Sequence, residues 1–212
     1  GMSKLVSGKV RIDTREVHKM NPRKMYREHE MAYIPEDRHT SGFVPTLSVA
    51  KNLTLAWIQK NSKYGFIPIK KEKKNIMESI KRMNVRPPDP NKLVDYLSGG
   101  NQQKVVLGKW LLTNPKVLLL DDPTRGVDVG AKAEIHELIA ELKKQGVAIL
   151  IVSSELTEAL NVGDRIVIMH EGESVGELKH GATEEQVMNY ALGIKKDTKN
   201  KEVSKLGRLQ MA

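Results

Sequence analysis

The sequence predicts an α/β fold with a core of parallel strands. Residues 117–120 and 147–152 are short apolar runs, which are typical of strands buried on both faces of a sheet. A helix with an apolar stripe is predicted between them, over residues 129–145, and a further strand over residues 31–34. Strands that alternate with helices are typical of parallel sheets, since each helix carries the chain back to the start of the next strand.

Further helices are predicted upstream of this core. Ser48 is a plausible N-cap for a helix that runs to about residue 59. Residues 70–84 form a basic amphipathic pattern with one apolar face, made of Ile76, Met77, Ile80 and Met83. Downstream of the core, residues 165–178 are typical of a hairpin, and Thr183 is a candidate N-cap for a last helix.

Composition limits the class of protein. The 212 residues suffice for one domain with a sub-lobe or for two small domains. With 39% hydrophobic and 29% charged residues, the chain has the composition of a soluble globular protein. Its apolar runs are shorter than the roughly 20 residues that span a bilayer. Zero cysteines exclude disulfides and thiolate metal sites.

The net charge of +9 is concentrated in the first part of the chain. Residues 1–90 hold 19 Lys and Arg against 9 Asp and Glu, a balance of +10. Such a surface could face nucleic acid, an anionic membrane or an acidic partner, and a solvated helix face over residues 70–74 accounts for part of it. Nucleic acid is disfavoured because the region has too few clustered aromatic residues for base stacking.

An anion site is predicted where the segment Leu97-Ser98-Gly99-Gly100 enters a helix that runs to about Thr113. The serine is expected to cap the helix, and the glycines leave the first N–H groups accessible at the positive end of the helix dipole. Such an end suits a phosphate. A Ser-Gly-Gly segment alone is most often only a turn.

Two carboxylates, Asp121 and Asp122, follow the apolar run of residues 117–120. The carboxyl ends of parallel strands are where open α/β sheets bind ligands. Carboxylate oxygens there suit Mg²⁺ on a nucleotide. An Asp pair after a strand is by itself most often a helix cap or part of a solvated loop.

Taken together, LSGGNQQK, a helix, a strand and DDPTRGVD resemble the signature motif, Walker B strand and D-loop of the ATP-binding cassette (ABC) ATPases. The resemblance implies a P-loop NTPase-like parallel core with a helical subdomain, and ATP and Mg²⁺ as cofactors. It further implies that Asp121 binds the metal ion and that Asp122 stands in place of the catalytic glutamate. It also implies a D-loop that includes Gly126 and Asp128, and signature residues that contact ATP held by a partner cassette: Leu97, Ser98, Gly99, Gly100 and Gln102.

The segment PEDR at residues 35–38 resembles the second cassette of sugar-type importers for ribose, galactose, xylose and similar sugars. In that family, Glu36 stands near the position of the Q-loop glutamine and Ser154 at the position of the switch histidine. Because Asp122 is one methylene shorter than glutamate and Ser154 cannot carry a histidine's charge, we expect slow or no turnover at this cassette's own site. The signature of this cassette is expected to complete the hydrolytic site of the partner cassette.

A phosphate loop of the form GxxxxGK[ST] does not occur in the sequence. We therefore expect a truncated cassette that lacks the phosphate-loop strand and helix and that does not bind ATP tightly alone. The expected parts are a first core lobe at residues 1–38, a helical lobe at 39–113, a second core lobe at 114–193 and a basic disordered tail at 194–212. The uncovered apolar sheet surface favours a homodimer or a domain-swapped form.

The function implied by the resemblance is that of the ATPase subunit of a sugar importer at the cytoplasmic face of the cell membrane. Its expected partners are an N-terminal or other partner cassette, a transmembrane permease and, indirectly, a sugar-binding protein, without nucleic acid. Three alternatives stay open: a nucleoside importer, an ABC protein that acts on nucleic acid or ribosomes, and a structural cassette that never turns over ATP.

Overall fold

The computed structural model describes residues 6–12, 15–17, 21–62, 64 and 66–194. The chain divides into two compact units, Met25–Val152 and Gly1–Lys24 with Ser153–Ala212. No helix in the described ranges is both long and apolar enough to cross a membrane. The domain boundaries predicted from the sequence remain a prediction.

The unit Met25–Val152 contains a parallel sheet of three strands, β3 (Met31–Ile34), β4 (Val117–Asp121) and β5 (Ala148–Val152), in the order β3-β4-β5. Helix α1 (Pro22–His29), which begins in the other unit, leads into β3. Both strand pairs are parallel, which confirms the predicted core.

The strand β5 is more exposed than predicted. Leu150 and Val152 are 61% and 58% exposed, whereas Leu118 and Leu120 of β4 are buried. The prediction of a second strand buried on both faces was therefore wrong. The physical reason is that the described residues leave one face of β5 open: Ala148, Leu150 and Val152 on that face are exposed, whereas Ile149 and Ile151 on the other face are half-buried.

Helix α4 (Gly99–Leu111) is the central helix of this unit, and it packs on α2 (Val49–Asn61). A Cβ at Gly108 would lie 2.8 Å from Cδ2 of Leu53, so this glycine permits the close crossing of the two helices. The helix predicted after the LSGG segment is confirmed, and besides its apolar residues it buries four polar side chains: Gln102, Gln103, Lys104 and Lys109.

The apolar face predicted for helix α3 (Ile69–Arg82) was wrong at one residue. Ile76, Ile80 and Met83 are buried, but Met77 is 52% exposed. One residue along a helix is a rotation of about 100°, so Met77 points away from the stripe that its neighbours form. Between α3 and α4, residues Val94–Tyr96 form a short 3₁₀ turn.

Helix α5 (Val129–Lys144) follows β4 and confirms its predicted pattern. Its inward residues are buried, and they are Ile135, Leu138, Ile139 and Leu142. Gly146 ends the helix with a φ of +84°, a conformation that glycine adopts without strain.

The second unit is built on an antiparallel hairpin of β6 (Arg165–His170) and β7 (Glu173–Lys179), which confirms the predicted hairpin. It also contains α6 (Leu156–Val162), α7 (Glu184–Ala191) and the short antiparallel pair β1 (Arg11–Ile12) and β2 (Arg15–Glu16). Thr183 caps α7 in a capping box with Gln186, as predicted from the sequence. The basic tail predicted at residues 194–212 lies, apart from Ile194, outside the described residues.

Candidate functional site

The carboxylate of Asp121 lies at the C-terminal end of β4, and its Oδ2 accepts a hydrogen bond of 2.9 Å from the hydroxyl of Tyr33 on β3. Burial and the neighbouring Asp121 charge raise the pKa of Tyr33 to about 12. The phenol therefore stays protonated at neutral pH and acts as a fixed donor. A cation at this position would be held by the remaining carboxylate oxygen, with Tyr33 fixing the orientation of the group.

The described residues contain no group of three or more His, Cys, Asp or Glu side chains that could hold a metal ion. A Mg²⁺ at Asp121 would therefore complete its shell with phosphate and water oxygens. Such a shell fits the chemistry of Mg²⁺, which usually keeps several waters and takes one or two carboxylates.

A tight loop follows β4. The N–H of Asp122 donates to the carbonyl of Val152 at 2.8 Å, and the N–H of Arg125 donates back to the carbonyl of Asp122 at 3.0 Å. Asp122 and Gly126 have φ values of 42° and 64°. Aspartate and glycine are among the residues that adopt this left-handed conformation most readily, so the residue types fit the loop.

The N-terminus of α5 is fixed at the end of this loop. Asp128 is its N-cap, and Oδ1 accepts a hydrogen bond of 2.9 Å from the N–H of Ala131. The predicted D-loop residues Gly126 and Asp128 thus lie in the segment between β4 and α5, and their part in nucleotide binding remains a prediction.

Ser98 occupies the N-cap position of α4, but its side chain does not cap the helix. The predicted side-chain cap was wrong, because Oγ accepts a hydrogen bond of 2.8 Å from the side-chain amide of Asn101. Asn101 in turn accepts from the backbone N–H of Arg86 at 2.7 Å. The exposed Ser98 hydroxyl keeps its own hydrogen for donation to an external acceptor.

The two glycines of the signature are required by packing. A Cβ at Gly100 would lie 2.5 Å from Cβ of Ala131 and 3.1 Å from Oδ2 of Asp128. A Cβ at Gly99 would lie 2.9 Å from the carbonyl oxygen of Gly126. The N-terminus of α4 therefore lies directly against the loop and the first turn of α5, a reason for glycine that the sequence did not reveal.

Arg38 joins the signature to the loop. Its Nε donates to Oε1 of Gln102 at 3.3 Å, and its Nη1 and Nη2 donate to the carbonyls of Arg125 and Gly126 at 2.9 and 3.3 Å. Sequence reasoning gave this residue no role. The available signal was a basic residue four positions after the end of a strand, within the PEDR segment.

The remaining predicted site residues have different surroundings. Glu36 is exposed and forms an ion pair with Arg125. Leu97 and Gln102 are buried, and the amide nitrogen of Gln102 donates to the carbonyl of Asp95 at 3.3 Å. Ser154 is exposed and belongs to the other unit. The structure brings Glu36, Gln102 and the D-loop into one cluster with Arg38, and the nucleotide contacts assigned to them remain predictions.

Comparisons with known proteins agree with the resemblance that these motifs carry. The family model described as ABC transporter matches residues 1–125. The ribose import ATP-binding protein RbsA of Caldanaerobacter subterraneus subsp. tengcongensis is 46% identical over 195 residues, which are 91% of this chain and 39% of that protein. The xylose import ATP-binding protein XylG of Geobacillus kaustophilus is 47% identical over 189 residues, 89% of this chain and 37% of that protein. The chain spans less than two fifths of the length of these relatives.

Solved structures with the same fold include the dimeric ATP-binding cassette MJ0796 bound to ADP and Pi, with a TM-score of 0.73 and 24% identity over 86% of this chain and 77% of that chain. The ADP conformation of the cassette MJ1267 gives a TM-score of 0.72 and 23% identity over 96% and 78%. At such identities the likeness establishes the fold, and the predicted α/β, P-loop NTPase-like class is confirmed. Since the family model covers more than half of the sequence, this chain belongs to the ABC transporter family.

Proposed function

We propose that this chain is the signature-bearing part of the second ATP-binding cassette of a sugar importer. The observation that carries the proposal is the N-terminus of α4, where Ser98, Gly99 and Gly100 lie against a D-loop in the fold of an ABC ATPase. The names of the relatives, which import ribose and xylose, favour a sugar over a nucleoside. Nucleic acid is disfavoured because the basic first part of the chain has too few clustered aromatic residues for base stacking.

The chain's own groups suit an anion held by a partner cassette. The first N–H groups of a helix have no acceptors within the helix, and they lie at the positive end of its dipole. The Ser98 hydroxyl is exposed beside them. ATP would supply the γ-phosphate that these donors bind, and the donors stabilise negative charge without rearranging, because packing at Gly99 and Gly100 already fixes them.

The cassette's own half-site is the weaker one in this proposal. Asp121 can hold Mg²⁺ through one oxygen while Tyr33 orients the group. Asp122 is shorter than the glutamate that orients water, and Ser154 lacks a chargeable ring. We propose that tight ATP binding requires a phosphate loop, which residues 1–212 do not contain.

We further propose the setting in which the chain acts. It pairs with another cassette, docks on a transmembrane permease at the cytoplasmic face of the membrane, and acts indirectly with a sugar-binding protein. Copies of this chain alone are proposed to associate through the exposed edge strand β5, whose Leu150 and Val152 are more than half exposed. A clean monomer in light scattering at high concentration would contradict that association.

The test of the main proposal is ATP hydrolysis by the complete two-cassette ATPase with its permease. Ser98→Arg should abolish transport-coupled hydrolysis, because a large cation would fill the space in front of the α4 donors. Asp122→Asn should cost much less, since this cassette's own site is proposed to turn over slowly. Asn91→Arg, which places the same side chain on an exposed loop, is the matched control and should leave the rate unchanged. Equal losses for Ser98→Arg and Asp122→Asn would contradict the assignment.

A further inference from the structure

We propose that Arg38 is a positioning residue that holds the loop of residues 122–128 against the N-terminus of α4. The role is separate from direct contact with nucleotide, which we assign to the signature. It assigns a function to the last residue of the PEDR segment, four residues after the end of strand β3.

The geometry of the guanidinium group matches this role. Its three nitrogens donate to three acceptors on two separate segments, namely a side chain on α4 and two consecutive carbonyls of the loop. The distances are 3.3 Å to Gln102, 2.9 Å to Arg125 and 3.3 Å to Gly126. A planar fork of donors reaches such a set at once, whereas the single ammonium of lysine does not.

The acceptor on α4 is itself fixed. Gln102 is 5% exposed, and its amide nitrogen donates to the carbonyls of Val94 and Asp95 in the 3₁₀ turn before the signature. Because both ends of the amide are engaged, its Oε1 offers Arg38 a stationary anchor. The hydrogen bonds thus run from the entry of the signature, through Gln102 and Arg38, to the loop.

The guanidinium also lies close to the first residue of α4. A Cβ at Gly99 would lie 2.8 Å from Nη2 of Arg38. Glu36 makes a second link to the loop through its ion pair with Arg125, but both partners are substantially exposed, at 45% and 64% of their side-chain surface. That ion pair reaches the loop alone, whereas Arg38 also bonds to Gln102 on α4, so Arg38 is the residue that joins the two segments.

This arrangement couples the signature to the D-loop. The carbonyls that Arg38 holds lie two and three residues before Asp128, which caps α5 and whose Oδ2 lies near Gly100. A shift of the loop would therefore move the groups that surround the first turn of α4. The consequence for hydrolysis rests on the proposed function, whereas the positioning itself does not.

The first arm of the test uses this chain and site-resolved amide hydrogen exchange. Arg38→Lys and Arg38→Met should accelerate exchange of the Arg125 and Val127 amides about tenfold, because these N–H groups are protected by hydrogen bonds inside the held loop. Amides of β3 and β4 should keep their rates. Arg82→Lys is the matched control, since Arg82 bonds to one surface carboxylate, on Glu141. Unchanged loop exchange in both Arg38 variants would overturn the proposal, as would equal acceleration throughout the sheet.

The second arm uses the complete two-cassette ATPase with its permease. Arg38→Lys should lower kcat about tenfold and leave KM for ATP within about twofold, because misplaced groups affect the transition state more than ground-state binding. Ser98→Arg is measured beside it. If Ser98→Arg abolishes hydrolysis while Arg38→Lys keeps the native kcat, the positioning role is wrong. If Ser98→Arg has no effect, the proposed function fails, and the exchange measurement alone decides the role of Arg38.

Discussion

Two buried lysines on α4 differ in how their charge is compensated. Lys104 lies 2.6 Å from Oε2 of Glu134, and this contact is the main reason that the pKa of that carboxyl is lowered. Lys109 donates to the carbonyl of Gly42 and lies 5.3 Å from the ring centroid of Trp110, and no carboxylate among the described residues pairs with it. Burial lowers the pKa of Lys109 to about 8. The native state therefore holds a poorly compensated cation at neutral pH.

This cation predicts a specific pH dependence of stability. Between pH 8 and the ordinary lysine pKa of about 10.5, the unfolded chain binds a proton at Lys109 that the native chain has released. The free energy of unfolding should therefore rise with pH across this window, by roughly 3 kcal/mol relative to Lys109→Met. Urea unfolding of both proteins from pH 7.5 to 10.5 measures the difference, since all other titrating groups are shared. Parallel curves would contradict the buried cation.

Individual residues were predictable from the sequence where a motif marks them. Asp121 and Ser98 were identified because they stand at a strand end and at a helix start. Tyr33 and Arg38 were missed because their partners are distant in the sequence. Asp121 is 88 residues from Tyr33, and the pairing of β3 with β4 brings the two together. The partners of Arg38 are 64 or more residues away and come close through the packing of α4. Spacing along the chain carries no signal for such contacts.

At the scale of elements, the decisive contact is the convergence of the first turns of α4 and α5. Gly100 permits it, since a side chain there would meet Ala131 and the capping carboxylate of Asp128. Helix periodicity predicted both helices and their buried faces. It could not predict that their N-termini touch, because that depends on the conformation of the connecting loop.

A pair of glycine substitutions tests this contact. Gly100→Ala should lower the free energy of unfolding by about 1–3 kcal/mol, because a methyl group would overpack the junction. Gly130→Ala, at the second residue of α5, should raise it by about 0.5–1 kcal/mol, because its Cβ would meet only Oδ1 of Asp128 at an ordinary 3.5 Å and alanine favours the helix. Thermal or urea unfolding of the two variants gives the comparison, and similar effects at both positions would contradict the close junction.

At the scale of the whole molecule, the type of each element was predicted and the exposure of one strand was not. The parallel order of the sheet, the hairpin and the helices followed from periodicity and caps, because each pattern is local. The exposure of β5 did not follow, since the composition of an apolar strand does not show which of its faces the rest of the fold covers. The family model and the solved cassettes account for the fold, while the shared signature site remains our proposal.

The most direct test of that proposal is calorimetric titration of Mg-ATP into this chain, first alone and then mixed with the separately expressed partner cassette. We expect no binding by the chain alone, and in the mixture we expect both binding and hydrolysis, which Ser98→Arg removes. This outcome would establish that the chain donates its signature to a nucleotide held elsewhere. Tight binding of Mg-ATP by the chain alone would contradict the account, because it would require a nucleotide site without a phosphate loop.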